Sequence, residues 1–449
     1  MVSIEQIFEL EKKHNLFQLR TKEGFPLWDI VRYYVFERLN NNPMPISPKK
    51  NIKFLSDRIR MLLFTLYNLL KKPKENIFFI NSRNLCTDHA FYDKNANQVI
   101  NLLPSNKVTL IESNLVNSKY KYSTFHCVDR SWLFRLKPQT ITEFEIPEKK
   151  FSFIIDVLSD NFPALKLNLQ DLTNEYILFL KSYKLYRNWL SQTKQKVKHV
   201  FITQNGIQKG LILAAQHQNI PVYEFQHGIV ERTHIVYSYP PEIKYLSHQI
   251  INPDIFFTLG HYWNDSFFHP FMKKITLGND DFLPEISPTG ENSLTVVSSL
   301  IHELELRKVV ARIAAQNPKL NIYFKLHPNQ FFQKEETQKK FTNFSQIEVI
   351  SDEQNVLQLL SRSRAMLTIV STAVYEALQV GVDVLILKKL NYLAHEDVFE
   401  IEGINLIENE ADFRCIFFKK ANKLKKNNTA FFEPFKKNVF DGYVLNNHE

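Results

Sequence analysis

From residue 76 onward the chain repeats one grammar, a short apolar run followed by a stretch with helical spacing and then another run. NIFFINS (76–82), KVTLIES (107–113), FSFIIDV (151–157), HVFITQN (199–205) and PVYEFQH (221–227) read as buried strands, and DIFFTLG (254–260) and KITLGN (274–279) continue the series. Between them, ANQVINLL, NEYILFLKSYKLYRNWL and GLILAAQHQ carry apolar residues at helical intervals. Wholly apolar strands separated by helices specify a parallel sheet covered on both faces. Pro284, Pro288 and Gly290 in FLPEISPTGEN mark a linker, after which the grammar restarts with SLTVVSS (293–299), NIYFKLH (321–327), AMLTIVS (365–371) and VDVLILK (382–388). The expected architecture is α/β, two Rossmann-like units in tandem that face a cleft.

A chain of 449 residues is too long for one core and divides on this reading into a helical extension (1–75), a first unit (76–282) and a second (283–449). Within the extension, Ile52, Leu55, Ile59, Leu62, Leu63, Leu66 and Leu70 recur at helical spacing among lysines and arginines. That is a basic amphipathic helix, packed on its own protein or laid on a membrane surface. The chain has 56 basic and 47 acidic residues, a net charge of +9, with the excess clustered around 49–74 and 419–437. An anionic membrane is the expected partner; no helix-turn-helix, zinc-finger or aromatic platform accompanies the charge, so nucleic acid is not. The cysteines, Cys86, Cys127 and Cys415, form neither a disulfide framework nor a thiolate site. No signal peptide is legible in the first twenty residues, and the longest apolar run, MLLFTLYNLL, is about half the length a bilayer demands. The expectation is a cytoplasmic protein, peripheral at the inner face of the membrane.

In sheets of this kind ligands gather at the carboxyl ends of strands, and four such ends carry polar groups. They are Gln204-Asn205-Gly206, Gln226-His227-Gly228, His327-Pro328 and Ser371-Thr372. Pro328 keeps His327 out of a helix, where its imidazole either serves a phosphate or stabilises its own turn. Ser371 and Thr372 stand before a helix, as caps or as donors that join the helix amides in holding an anion. Glu376 reaches a ribose hydroxyl or favours the helix dipole. Neither Gly-rich phosphate loop is present, and no D-x-D, H-E-x-x-H or paired-cysteine motif points to a metal or cofactor.

The order of these motifs resembles bacterial GT-B glycosyltransferases that build surface polysaccharide. The nearest in motif are sialyl- and polysialyltransferases, capsule Kdo transferases and the CDP-glycerol glycerophosphotransferases. The resemblance implies that His327 contacts the donor phosphate and assists departure of the nucleotide, with Ser371 and Thr372 holding the same phosphate. The sialyltransferase group takes its base from an acidic pair before a glycine, where this chain has Gln204-Asn205-Gly206, and an amide accepts no proton at neutral pH. The glycerophosphotransferases carry a His-Gly that His227-Gly228 matches, which makes His227 the implied base, with Gly228 admitting substrate and Gln204 and Asn205 binding sugar hydroxyls.

The function so implied is metal-independent transfer of a sugar from a nucleotide-sugar donor, a CMP-linked sugar such as sialic acid or Kdo being favoured. The acceptor would be a lipid-linked or growing glycan of capsule or lipopolysaccharide. A CDP-polyol phosphotransferase and a non-catalytic glycan-binding assembly protein are the alternatives.

Overall fold

The computed structural model describes residues 2–39, 72–81, 84–85, 90–112, 121–122, 124–129, 141–192, 197–230, 232, 234–245, 250–266, 268–269, 273–283, 290, 292–299, 303–389, 392–418 and 431–445. The proposed basic helix at 52–70, the linker prolines and Cys86 lie outside them.

The first sheet is parallel, in the order β5-β4-β1-β6-β7-β8-β9. Its strands are β1 (Asn76–Ile80), β4 (Val108–Glu112), β5 (His126–Asp129), β6 (His199–Ile202), β7 (Val222–Phe225), β8 (Ile255–Thr258) and β9 (Lys273–Thr276); β2 (Asn84–Leu85) and β3 (Phe91–Tyr92) pair separately as a small antiparallel ladder. Alternation along each strand supplies two apolar faces. Ile77 and Phe79 pack with helices Leu169–Ser191 and Lys209–Gln216, while Phe78 and Ile80 turn to the other face. On that second face Phe78, Phe201, Phe225 and Phe257 stack from strand to strand at centroid spacings of 4.3, 5.8 and 5.8 Å.

The second sheet is also parallel, in the order β12-β11-β10-β13-β14-β15. It comprises β10 (Ser293–Val297), β11 (Asn321–Lys325), β12 (Ile347–Ile350), β13 (Ala365–Thr368), β14 (Asp383–Leu387) and β15 (Ile404–Ile407). Two Rossmann-like units in tandem are therefore what the chain forms. A shared apolar cluster joins them: Leu259, Trp263 and Phe282 from the first unit pack with Tyr375, Leu378, Phe431 and Phe432.

Three readings change. FSFIIDV is not a strand; it lies in helix Glu148–Asn161. Phe151, Ile154 and Leu158 are buried at helical intervals, and Phe153, which completes the apparent strand run, is 41% exposed. The N-terminal residues are also more than an extension. Leu10, Leu16, Trp28 and Val31, from helices Ile4–Lys13 and Leu27–Leu39 and the turn between them, lie in the first unit's core. Finally, the segment 431–445 returns to the first sheet, where Phe440 packs 6.3 Å from Phe201 and the Tyr223 hydroxyl donates to the Tyr443 carbonyl.

Candidate active site

The strand order in each sheet reverses direction at its first strand, beside β6 in one and β13 in the other, and the carboxyl edges there form the crevices that ligands occupy in such folds. His227 follows β7 and is exposed. Its loop is held from below by Gln226, which is buried: the Gln226 side chain donates to the Gly228 carbonyl at 3.0 Å and accepts from the Leu259 amide at 2.9 Å. Rigid support of this kind is what an exposed working side chain needs. Across the seam, a Cβ built on Gly228 would lie 3.6 Å from Cγ2 of Thr372. A small cavity of about 30 Å3 is lined by His227, Gly228, Thr372, Tyr375 and Glu376 together with Trp263. The fold thus brings the first unit's His-Gly against the second unit's Thr372 and Glu376.

A larger cleft of about 310 Å3 opens on the other side of His227, and Gln204, His234, Tyr237 and Val370 are among its walls. His234 carries no signal in sequence, since it follows no strand and belongs to no motif. Burial around its ring pushes its pKa down to about 4, so it stands neutral in the cleft.

The other first-unit amide behaves differently. Asn205 is fully buried, and its backbone N–H donates at 3.1 Å to Glu224, itself buried on the face of β7 opposite Phe225. The Tyr237 hydroxyl donates to the same carboxyl oxygen. Desolvation pushes the Glu224 pKa up to about 8 against those hydrogen bonds, which favour the charged form. Asn205 therefore supports the strand end from within and is not placed to meet a sugar hydroxyl. Gly206 abuts Val236, whose Cγ2 would stand 2.9 Å from an added Cβ, so packing accounts for that glycine.

In the second unit, His327 caps the short helix Pro328–Gln333, with Nδ1 accepting from the Asn329 amide at 3.2 Å. In the neutral ring the proton then sits on Nε2, which is a donor suited to an anion. Both weighed roles of His327, turn and phosphate ligand, are thus compatible in one side chain. Lys325 is turned elsewhere, onto the Ser351 carbonyl.

Ser371 is half-buried and Thr372 exposed at the start of helix Ala373–Val380. Fewer amides are available there than the sequence reading expects. Ser371 Oγ accepts from the Ala373 N–H at 3.2 Å, the Val374 N–H donates to the Ser371 carbonyl, and the Ser371 N–H donates to His395 Nε2 at 3.1 Å. Among the described hydrogen bonds, the Thr372 N–H makes none. An anion at this turn would thus be held by Thr372 and its amide with neighbouring donors, since the helix end is largely satisfied. His395, fully buried, lies far along the chain from Ser371 and stands in no motif. Ser298 and Ser299, at the end of β10 between His327 and Ser371, were also missed, although a strand ending in two hydroxyls is the same signal that marks Ser371-Thr372. Ser298 Oγ donates to Gln330, which in turn accepts from the His327 amide.

Among solved structures, the UDP-GlcNAc 2-epimerase of Methanocaldococcus jannaschii, in complex with UDP-GlcNAc and UDP, is 14% identical, with 82% of this chain and 99% of that one covered and a TM-score of 0.47. The glycotransferase of kitacinnamycin is 11% identical over 77% of this chain and 90% of its own, with a TM-score of 0.46. The calicheamicin glycosyltransferase CalG4 is 12% identical over 78% and 91%, with a TM-score of 0.44. No curated protein matches the chain. Over residues 301–424, the stretch that carries His327, Ser371, Thr372, Glu376 and His395, the chain matches the model of a family described as capsule polysaccharide biosynthesis proteins.

Proposed function

We propose that the protein is a GT-B glycosyltransferase of capsule or related surface-glycan synthesis, taking a sugar from a nucleotide-sugar donor to a lipid-linked or growing glycan. The observation that carries this is the meeting of His227-Gly228 with Thr372 and Glu376 across the seam, between a small cavity and a larger cleft. The match to capsule biosynthesis proteins over the second unit supports it.

In the proposed reaction an acceptor hydroxyl in the larger cleft attacks the anomeric carbon of the donor. The carbon–phosphate oxygen bond breaks, His227 takes the hydroxyl proton, and the departing phosphate receives hydrogen bonds from His327 Nε2–H and Thr372. Glu376 is assigned to the nucleotide's ribose, and Gln204 and Gly228 to the substrate. Asn205 and Gly206 are left out of the contact set for the packing reasons given above. A CMP-linked sugar is the favoured donor. Basic segments would hold the enzyme at the inner face of the cytoplasmic membrane; among the described residues no helix is long and apolar enough to cross one.

The test is nucleotide release from CMP-, CDP- and UDP-linked donors with lipid and oligosaccharide acceptors, on wild type, His227→Ala and His327→Ala. Release that both variants reduce by about a hundredfold or more supports the assignment. No release from any donor by wild type overturns it, and phosphorus carried into the product redirects it to a polyol phosphotransferase.

A further inference from the structure

His234 lines the larger cleft together with His227 and Gln204, and it is half-buried there. The segment that carries it, after β7, is tightly fixed. The His234 carbonyl accepts from the Tyr237 and Ser238 amides, each at 2.9 Å. Arg32, buried and paired with Glu11, donates to the carbonyls of Ile235 and Ser238. The imidazole rests against the Tyr237 ring at a centroid distance of 4.8 Å, and the Tyr237 hydroxyl is anchored on Glu224, which also accepts from the Asn205 amide. A side chain held in this way loses little freedom when it binds, which is the support that a ligand-contacting group needs. His227 neighbours the same tyrosine, its ring 6.5 Å from that of Tyr237.

The polar edge of the His234 ring is not spent on the fold. Its Nδ1 is buried and takes no partner from another residue among those described, which leaves Nε2 as the nitrogen open to a ligand. Burial pushes the ring's pKa down to about 4, so Nε2 meets a ligand uncharged at neutral pH. A neutral imidazole nitrogen is donor or acceptor according to tautomer, and a sugar hydroxyl, which both donates and accepts, satisfies either. An uncharged His234 also adds no like charge against the proton assigned to His227.

We propose that His234 is a substrate-contacting residue whose Nε2 is hydrogen-bonded to a hydroxyl of the acceptor saccharide in the cleft, with the Tyr237 ring as its support. The inference rests on the glycosyltransferase reading and deepens it: His227 takes the proton of the attacking hydroxyl, and His234 fixes how the sugar bearing that hydroxyl is turned.

The test uses the full chain, a panel of hexose and N-acetylhexosamine oligosaccharides, and the monodeoxy analogues of the tightest binder, with binding read by calorimetry and transfer by product formation. His234→Phe, which keeps a ring against Tyr237, should weaken the parent sugar about fivefold. For one deoxy analogue the same substitution should cost nothing further, because the hydroxyl that His234 meets is already gone. His234→Leu repeats the polar deletion if the phenylalanine variant does not fold, and His234→Gln, whose amide can reach a hydroxyl, should restore part of the parent's affinity. The proposal is overturned if no saccharide of the panel binds wild type, if the polar-deletion variants bind the parent as wild type does, if their loss adds to that of every deoxy analogue, or if glutamine restores nothing. The expected binding pattern without transfer of any sugar would sink the glycosyltransferase reading and leave the His234 contact standing; transfer by wild type that the polar-deletion variants match would do the reverse.

Discussion

Gly228 and Thr372, on different units, face each other so closely that a Cβ on the glycine would rest 3.6 Å from the threonine methyl. That separation is ordinary van der Waals contact, and Gly228 is not among the residues with positive φ. Gly228→Ala should therefore keep its stability within about 0.5 kcal/mol. Gly228→Phe overfills the seam and should cost roughly 1–3 kcal/mol, with nucleotide affinity falling as the two units are wedged apart. Urea midpoints and nucleotide-dependent thermal shifts check both; an alanine variant as impaired as the phenylalanine one would mean that backbone conformation, not space, selects the glycine.

Gly278 makes the opposite case. Its φ is +72°, and an added Cβ would lie 2.2 Å from the Pro434 carbonyl oxygen and 2.5 Å from that of Glu433. The segment passing over it is tied down by backbone bonds, Asn279 N–H to Glu433 O and Lys436 N–H to Leu277 O, each 2.8 Å. Gly278→Ala should cost about 2 kcal/mol or more and release the 431–445 segment from the first sheet. Limited proteolysis should then cut within that segment at a protease level that leaves wild type whole.

The N-terminal helices join the first core through buried charges. Arg32 pairs with Glu11, which also accepts from Trp28 Nε1 at 2.9 Å, and Arg32 donates to the carbonyls of Ile235 and Ser238. Arg32→Ala leaves Glu11 charged or newly protonated in an apolar surround, at a cost of roughly 3–5 kcal/mol. Removing both partners in Glu11→Met/Arg32→Met should cost less than removing Arg32 alone. Equilibrium unfolding of the three variants decides, and an Arg32→Ala protein as stable as wild type would remove the N-terminal region from the core argument.

What could be read in advance follows from the range over which each signal acts. Most strands of both sheets were legible because an apolar run with a polar end is a local pattern, and Thr372 and His227 were found for the same reason; the short strands β5, β12 and β15, at the outer positions of the sheets, were not read. FSFIIDV failed because a run of seven residues carries both periods, and Pro147 with Glu148, a usable helix start, stood just outside it. Asn205 read as a ligand because its position at a strand end was visible while its burial under Glu224 and Tyr237 was not. His395, His234 and the pairing of Arg32 with Glu11 depend on contacts between distant segments, which composition and spacing do not encode.

His395 gives such a contact a measurable consequence. Its Nε2 accepts the Ser371 N–H in a fully buried setting, and burial pushes its pKa down to about 4, so the ring is a neutral acceptor at physiological pH. His395→Phe should strand that N–H and cost about 1–3 kcal/mol. With the Ser371-Thr372 turn loosened, KM for the donor should rise more than kcat falls, and His395→Gln, whose side-chain carbonyl still accepts, should restore part of both. Equal loss in the glutamine and phenylalanine variants would show that ring packing against Tyr375, and not the hydrogen bond, holds the turn.

Glu224 supplies a prediction in pH. Burial raises its folded pKa from an ordinary 4.5 to about 8, so between these values the folded protein holds a proton that the unfolded chain has released. Stability on this account is fullest below pH 4.5, falls as pH rises towards 8, and levels off above it, with an upper bound near ~5 kcal/mol at ~1.4 kcal/mol per unit. Glu224→Gln keeps an oxygen for the Asn205 N–H and the Tyr237 hydroxyl while removing the ionisation. Urea unfolding of wild type and Glu224→Gln at pH 5, 7 and 8.5 should show the variant gaining on wild type at each step. A constant difference across that range would mean that Glu224 is already ionised in the fold, compensated by Lys209 nearby, whose own charge burial opposes.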